Sequence, residues 1–412
     1  RRIAGAAPAS LVHPGRHASW YGADDTHRSR AIAILNGILG SWGHRGGFFR
    51  PSGLKLVKYP APAYPAAKAP ADRVEGEAPF ALEPLAQGLR RATIDGRPYP
   101  IKGWMVYGTN LIQALPQREE TLKAIEALDL LVVIDVLPSE IAGYADVVLP
   151  EASYLERFDD LLPVSWKRSG VALRQPVIAP PGQAKPGWWI ARELGLRLGL
   201  EAYFPWKDAE SYLRERCRLS GLDFGALQKD GVILAPEKPT VVEDGLPISF
   251  ATESGKVELY SEKLAAAGFD PLPVYLRPDG VPPGYFRLLY GRAPGHTFGR
   301  TTNNRLLGEL SHHDRVWINA KVAADLGLAD GVTVRLVNQD GIKSAPLKIK
   351  ATERIRGDCV FMVHGWGHTA KGLRYAQGKG ADDAELVSRV KIDPVMGGTG
   401  MRVNFVALQR EV

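Results

Sequence analysis

Three groups of residues in this chain have types and spacing that could do chemistry. The first is Gly108-Thr109-Asn110, which follows the apolar run Ile101 to Tyr107 (IKGWMVY), taken with Asp135, which follows the apolar run Leu130 to Ile134 (LLVVI). A polar turn after a strand lets backbone N–H groups face a phosphate, and a carboxylate ending the next strand can accept two hydrogen bonds from a guanine edge or a ribose. With neither GxGxxG nor a Walker lysine, an ordinary sheet loop with a solvated Asp fits the pattern equally well. The second group is the loop GRAPGHTFGRTTNN, Gly291 to Asn304, after the apolar Leu288-Leu289-Tyr290. It gathers Arg292, Arg300, His296, several hydroxyl and amide side chains and three glycines. Arginine forks grip phosphate oxygens in pairs and glycine lets the backbone come close, although a merely polar, solvated loop is the alternative. The third group is histidine: His312-His313, and His364 with His368 in HGWGHT. A zinc pair at i and i+4 needs a helix, which Gly365 and Gly367 oppose, so His364 and Trp366 read instead as pocket lining beyond the Val360 to Val363 run. There is no GxSxG and no convincing Ser-His-Asp set, so a hydrolase would lack its nucleophile.

The elements that must position these residues follow from periodicity. Ile101 to Leu155 reads as strand, turn, helix, strand, proline-marked turn and strand, with the helix at Arg118 to Leu128 carrying Leu122, Ile125 and Leu128 on one face. LLVVI is the continuous run that a strand buried on both faces of a parallel sheet requires. In such sheets ligands sit beyond the carboxyl ends of the strands, which groups Gly108, Thr109, Asn110, Asp135, Ser139 and Glu151 around one crevice. The fold class expected is α/β, a Rossmann-like parallel-sheet domain followed by a β-barrel. After Tyr285 the sequence turns β-rich, with runs at Phe286 to Tyr290, Val332 to Val337, Leu347 to Ile349, Val360 to Val363 and Val403 to Leu408.

Five stretches follow: 1–50 with a helix from about Thr26 to Trp42, a Pro/Ala-rich surface connection at 51–100, the sheet domain at 101–200, a connecting segment at 201–284, and the barrel at 285–412. The chain of 412 residues, 45% apolar, is long enough for two or three cores. Its net charge of +7 comes from basic residues interleaved with acidic ones, which does not make a nucleic-acid surface. The two cysteines, Cys217 and Cys359, form no CxxC and cannot build an iron–sulfur cluster or a zinc ribbon. The opening Arg1-Arg2-Ile3 reads like the interior of a domain, so these residues are expected to be the carboxyl-terminal portion of a longer polypeptide.

Taken in order, HPGRH, WYG, RSRAIAILNGILGSWGHRGGFF, YGTN, LDLLVVIDVLPSEIAGYADVVLPEASYLE, SGKVELYSE, YGRAPGHTFGRTTNN and INAKVAADLGLADGVTVRL resemble the carboxyl-terminal part of the molybdopterin oxidoreductases of the dimethyl sulfoxide reductase superfamily. Within that superfamily the resemblance is to the polysulfide and thiosulfate reductase catalytic subunits, and it covers essentially the whole chain. It implies that the barrel is a double-psi β-barrel and that the cofactor is a bis-molybdopterin guanine dinucleotide carrying molybdenum, with tungsten as the variant metal. One guanosine arm would lie at Gly108, Thr109, Asn110, Asp135 and Ser139. Arg292, Ala293, His296, Thr297 and Phe298 would hold the pterin and phosphate region, joined by His364, Arg402 and Asn404. Arg16 resembles the arginine such sulfur reductases place near the metal, where a fixed cation could stabilise a sulfur leaving group; pairing with a phosphate or carboxylate is its other reading. Where the family carries an Asp against the guanine, this chain has Gly187, which removes that contact.

The activity so implied is reductive cleavage of a sulfur–sulfur bond in polysulfide or thiosulfate during anaerobic respiration. The expected partners are the amino-terminal part of the same enzyme, an iron–sulfur electron-transfer subunit, a membrane-anchored quinol-oxidising subunit and a small sulfur substrate, with no nucleic acid. An iron–sulfur cluster is expected only in the amino-terminal part, and the family's protein ligand to molybdenum also lies outside these residues. The expected location is the periplasmic face of the cytoplasmic membrane. The rivals are a relative acting on tetrathionate, arsenate or formate, and a non-catalytic subunit that keeps the scaffold.

Overall fold

The computed structural model describes residues 1–13, 15, 21–51, 53–66, 70–310 and 313–411. Contacts divide the chain into two units, one made of Arg1–Pro14, Arg30–Lys68 and Leu149–Glu262, the other of Gly15–Ser29, Ala69–Val148 and Lys263–Val412.

In the first unit, strands Leu162–Val164, Gly170–Ala172 and Val232–Leu234 form an antiparallel sheet. Helix Ala209–Leu219 begins at a reciprocal cap between Asp208 and Ser211 and buries Leu213 and Cys217 with Val171, Leu173, Phe224 and Leu227. Part of the stretch 201–284, which reads as a connection in sequence, therefore supplies half of a core. The helix near Asp208 to Leu219 is legible in the sequence, but no local pattern shows that it packs with Phe224, Leu227 and the sheet as a core. Gly187 opens the helix Gly187–Arg197.

The second unit holds both the parallel sheet and the barrel. Helix α1 (Ala86–Asp95) of this unit falls inside the Pro/Ala stretch that periodicity reads as structureless. It docks through a polar contact: the buried Arg90 guanidinium donates to Pro116 O at 2.7 Å and to Thr121 Oγ1 at 2.9 Å. Strand β1 (Gly103–Tyr107) pairs in parallel with β2 (Leu130–Asp135), Gly103 opposite Leu130 through Tyr107 opposite Ile134, and β3 (Val147–Pro150) adds the third strand. Helix α2 (Arg118–Glu126) covers one face, packing Ile125 against Val106, Leu131 and Val133. LLVVI is less completely buried than its composition predicts: Leu131 and Val133 on one face and Ile134 on the other are buried, whereas Leu130 is 45% exposed and Met105 of the neighbouring β1 is 57% exposed.

Six strands then close into a barrel: β4 (Phe286–Gly291), β5 (Arg315–Asn319), β6 (Thr333–Asn338), β7 (Leu347–Thr352), β8 (Cys359–Val363) and β9 (Phe405–Arg410), in the order β7-β5-β8-β4-β9-β6. β7 with β5 and β8 with β4 are parallel pairs, and the other neighbours are antiparallel. Inward and outward residues alternate as closure requires, with Val316, Ile318, Val334, Leu336, Leu347 and Val360 inside. β5 is the strand the sequence conceals, because RVWIN runs directly into helix Ala320–Asp325 with no turn residue between them.

Candidate functional site

At the carboxyl end of β1 the chain turns through Gly108, whose φ of +62° is the left-handed region and whose N–H donates to Ile134 O at 2.8 Å. Asn110 follows and caps the single turn Leu111–Ala114. Its Nδ2 donates to Glu140 Oε2 at 2.7 Å and to Gln113 Oε1 at 3.3 Å, while its Oδ1, shielded from solvent, has no partner among the described residues. Asp135, ending β2, accepts from Leu137 N at 3.1 Å, an Asx turn that starts the loop carrying Ser139 and Glu140. Ser139 is buried and its Oγ also lacks a partner.

Glu140 is the hub of this loop. Burial alone would raise its carboxyl, but the His368 imidazole at 3.1 Å and the Ala370 N–H at 3.1 Å outweigh that and hold its pKa down to about 2. The Thr369 N–H adds a 2.8 Å bond to the same oxygen. On its other side, His368 Nε2 lies 3.0 Å from Thr302 Oγ1, and that hydroxyl donates to Gly299 O at 2.8 Å. Asn110, Glu140, His368 and Thr302 thus link the loops after β1 and β2 to those after β8 and β4. Arg300 extends the link, its guanidinium reaching Gly108 O at 3.5 Å.

The loop after β4 is tightly folded. His296 is buried with Nδ1 3.2 Å from Thr301 Oγ1, which also accepts from Thr297 N at 2.8 Å. His296 N donates to Ala293 O at 3.2 Å, and the imidazole meets Trp366 edge-on at 5.4 Å. Among the described residues neither His296 Nε2 nor Trp366 Nε1 has a partner. Arg292 lies 5.0 Å from the Phe298 ring, which in turn meets His364 edge-on at 5.3 Å. Burial would lower the His364 pKa, but Asp383, 2.8 Å from Nδ1, reverses this and raises it. Burial next to Asp383 raises Asp382 well above the usual carboxylate range.

A cleft of about 360 Å³ opens in this unit between the two sets of loops, lined by Ser139, Glu140, Tyr144, Thr369, Lys371 and Arg118 among others. Asn110, through Glu140, His368 and Thr302, and Gly108, through Arg300, are thus tied to the loop carrying Arg292, Ala293, His296, Thr297 and Phe298, with Thr109 in the same turn as Gly108 and Ser139 next to Glu140 in sequence. The remaining candidates sit elsewhere. Asn404 is fully buried under the barrel, with Oδ1 accepting from Gln339 and Arg389 and Nδ2 donating to Arg389 O and Met401 O, so its amide is entirely used by the fold. Burial pushes the Arg402 guanidinium below its ordinary value, with Tyr21 and Tyr290 opposing. Glu151 belongs to the other unit, where it pairs with Arg157. Arg16 and His312 lie outside the described residues, and among those described no group of three His, Cys, Asp or Glu could hold a metal. Sequence reasoning missed Glu140 and passed over His368 as a rejected zinc ligand. They are 228 residues apart, and no local pattern pairs them.

Two family models match the chain: one described as the molydopterin dinucleotide binding domain over residues 286–404, the other as molybdopterin oxidoreductase over 85–197. The chain is 31% identical over 463 residues to the thiosulfate reductase molybdopterin-containing subunit PhsA of Salmonella typhimurium, covering all of this chain and 59% of that protein. It is 26% identical over 454 residues to dimethyl sulfoxide reductase DmsA of Escherichia coli, covering all of this chain and 54% of that one. Acetylene hydratase from Pelobacter acetylenicus shares the fold with a TM-score of 0.64 and 25% identity, over 80% of this chain and 47% of its own. The chain spans about half the length of the curated relatives it matches.

Proposed function

Because this chain belongs to the molybdopterin oxidoreductases, we propose that it is part of a catalytic subunit whose parallel-sheet loops and double-psi barrel loops grip a bis-molybdopterin guanine dinucleotide, and that the whole enzyme reduces a sulfur–sulfur bond. The observation that supports the cofactor most is the chemistry of the facing loops. Oxygens without partners among the described residues, Asn110 Oδ1 and Ser139 Oγ, belong to the same sheet-side loops as Asp135, and exposed Arg292, Arg300 and Lys371 belong to the barrel-side loops. Acceptors suit the N–H and hydroxyl groups of a nucleoside, and cations suit its phosphates. Gly108, with open space where a Cβ would stand, lets a phosphate approach the backbone. The buried His296 Nε2 and Trp366 Nε1 supply two more polar atoms for the pterin side.

When bound, the molybdenum cofactor supplies the two-electron exchange with substrate. The chain's own residues bind and orient. Glu140 and His368 hold the two sets of loops in register, and the His364–Asp383 hydrogen bond fixes the imidazole beside Phe298. Arg16 is proposed to steady the sulfur leaving group. For thiosulfate the reaction balances as S₂O₃²⁻ with two electrons and two protons giving HS⁻ and HSO₃⁻. The electrons are proposed to come through an iron–sulfur subunit from a membrane quinol-oxidising partner on the extracytoplasmic face. What supports the sulfur reading is the likeness to a thiosulfate reductase subunit along the whole of this chain. Turnover of the full-length enzyme with a reduced viologen tests this: polysulfide or thiosulfate should be reduced faster than tetrathionate, arsenate or dimethyl sulfoxide. Rapid arsenate reduction with no sulfur turnover would reject it.

A further inference from the structure

We infer that Glu140 is a positioning residue that fixes the polarity of the Asn110 amide, so that the cofactor nucleotide meets a lone hydrogen-bond acceptor at Asn110 Oδ1 and must present a donor there. The inference rests on the cofactor reading above. The two oxygens of Glu140 are not equivalent. Oε1 accepts the Thr369 and Ala370 backbone N–H groups at 2.8 and 3.1 Å, whereas Oε2 faces Asn110 Nδ2 at 2.7 Å; His368 Nδ1 is 3.1 Å from each. An ionised carboxylate only accepts, so Asn110 must turn its NH₂ group toward Glu140. The second hydrogen of that group goes to Gln113 Oε1 at 3.3 Å, and Gln113 is itself oriented by donating to Trp366 O at 3.3 Å. Both amide hydrogens are thereby used inside the protein. What remains is Oδ1, shielded and without a donor. A buried acceptor left in this way is costly unless a ligand completes it.

The asymmetry makes a directed test available. In Glu140→Gln the two backbone N–H groups still require an oxygen at the Oε1 place, so the new amide nitrogen must face Asn110. Asn110 then has to turn over, and it offers the nucleotide a donor where an acceptor stood. In Asn110→Asp two carboxylates confront each other across the same short contact. In the double variant the amide at position 140 donates to the carboxylate at position 110, whose second oxygen is again an acceptor facing the nucleotide.

The readout is guanosine monophosphate released by acid hydrolysis of the purified full-length protein, per polypeptide, with no activity required. Each single variant should lose on the order of tenfold in nucleotide retained after dialysis, and the double variant should return to within about threefold of the parent. A double variant worse than either single one, or a Glu140→Gln protein that keeps its full nucleotide content, overturns the inference. If Glu140→Gln yields no folded protein, the double variant decides alone: recovery of folded, nucleotide-bearing enzyme supports the inference and its failure overturns it. A parent enzyme with no guanosine monophosphate rejects the cofactor reading itself, and the positioning role with it.

Discussion

Replacement of Glu140 by Ala is expected to destabilise the sheet-and-barrel unit by roughly 3 to 5 kcal/mol, because it breaks the buried Glu140–His368 pair and removes the acceptor that several donors share. The groups left unpaired are Asn110 Nδ2, His368 Nδ1 and the N–H groups of Thr369 and Ala370, drawn from loops on both the sheet and the barrel. Hydrogen exchange at the Thr369 and Ala370 amides should rise to match, and a loss below about 1 kcal/mol would mean the hub is not structural. The same residue predicts an acid limb. A carboxyl held down to about 2 in the folded state, against about 4.3 when unfolded, contributes stability that is complete above pH 4.3 and disappears as the pH falls toward 2. The parent should therefore lose about 3 kcal/mol across that window beyond what Glu140→Gln loses. Parallel acid curves for the two proteins would contradict the depressed pKa.

The second large effect is expected at Gly365. Its φ is +91°, and a Cβ built there would stand 2.5 Å from Gly299 N and 2.6 Å from Phe298 C, both backbone atoms that cannot swing aside. Gly365→Ala combines overpacking with a strained left-handed residue, together about 2 to 5 kcal/mol. It should push the loop carrying Phe298 away from His364. Thermal unfolding and exchange at Gly299 check this, and an unchanged melting curve with a protected Gly299 amide would show that the close approach does not exist.

The sheet and five of the six barrel strands were legible in the sequence because each contains an apolar run that stands out from its flanks, several of them ended by glycine, proline or Asp-Gly. Gly108-Thr109-Asn110 and the GRAPGHTFGRTTNN loop were legible for the same reason: they follow such runs directly. β5 was not, since RVWIN passes into a helix without a turn signal. Helix α1 was hidden because Arg90 anchors it by hydrogen bonds rather than by an apolar stripe. The exposure of Leu130 and Met105 could not be read either, since the composition of LLVVI says what a strand can bury and not what is present to bury it. The Glu140–His368 pair depends on closure of the barrel against the sheet loops, a contact that exists only in three dimensions. Asn404 marks the converse limit: its residue type suits ligand binding, yet the fold consumes every hydrogen bond it can make.

The central claim is that the loops of the parallel sheet and the barrel together hold a molybdopterin guanine nucleotide. Metal and nucleotide analysis of the purified full-length polypeptide tests it most directly. The account predicts about one molybdenum or tungsten ion with about two guanosine nucleotides per polypeptide. A folded protein containing neither would contradict it and would make this chain a scaffold that has kept the shape of the site without its cofactor.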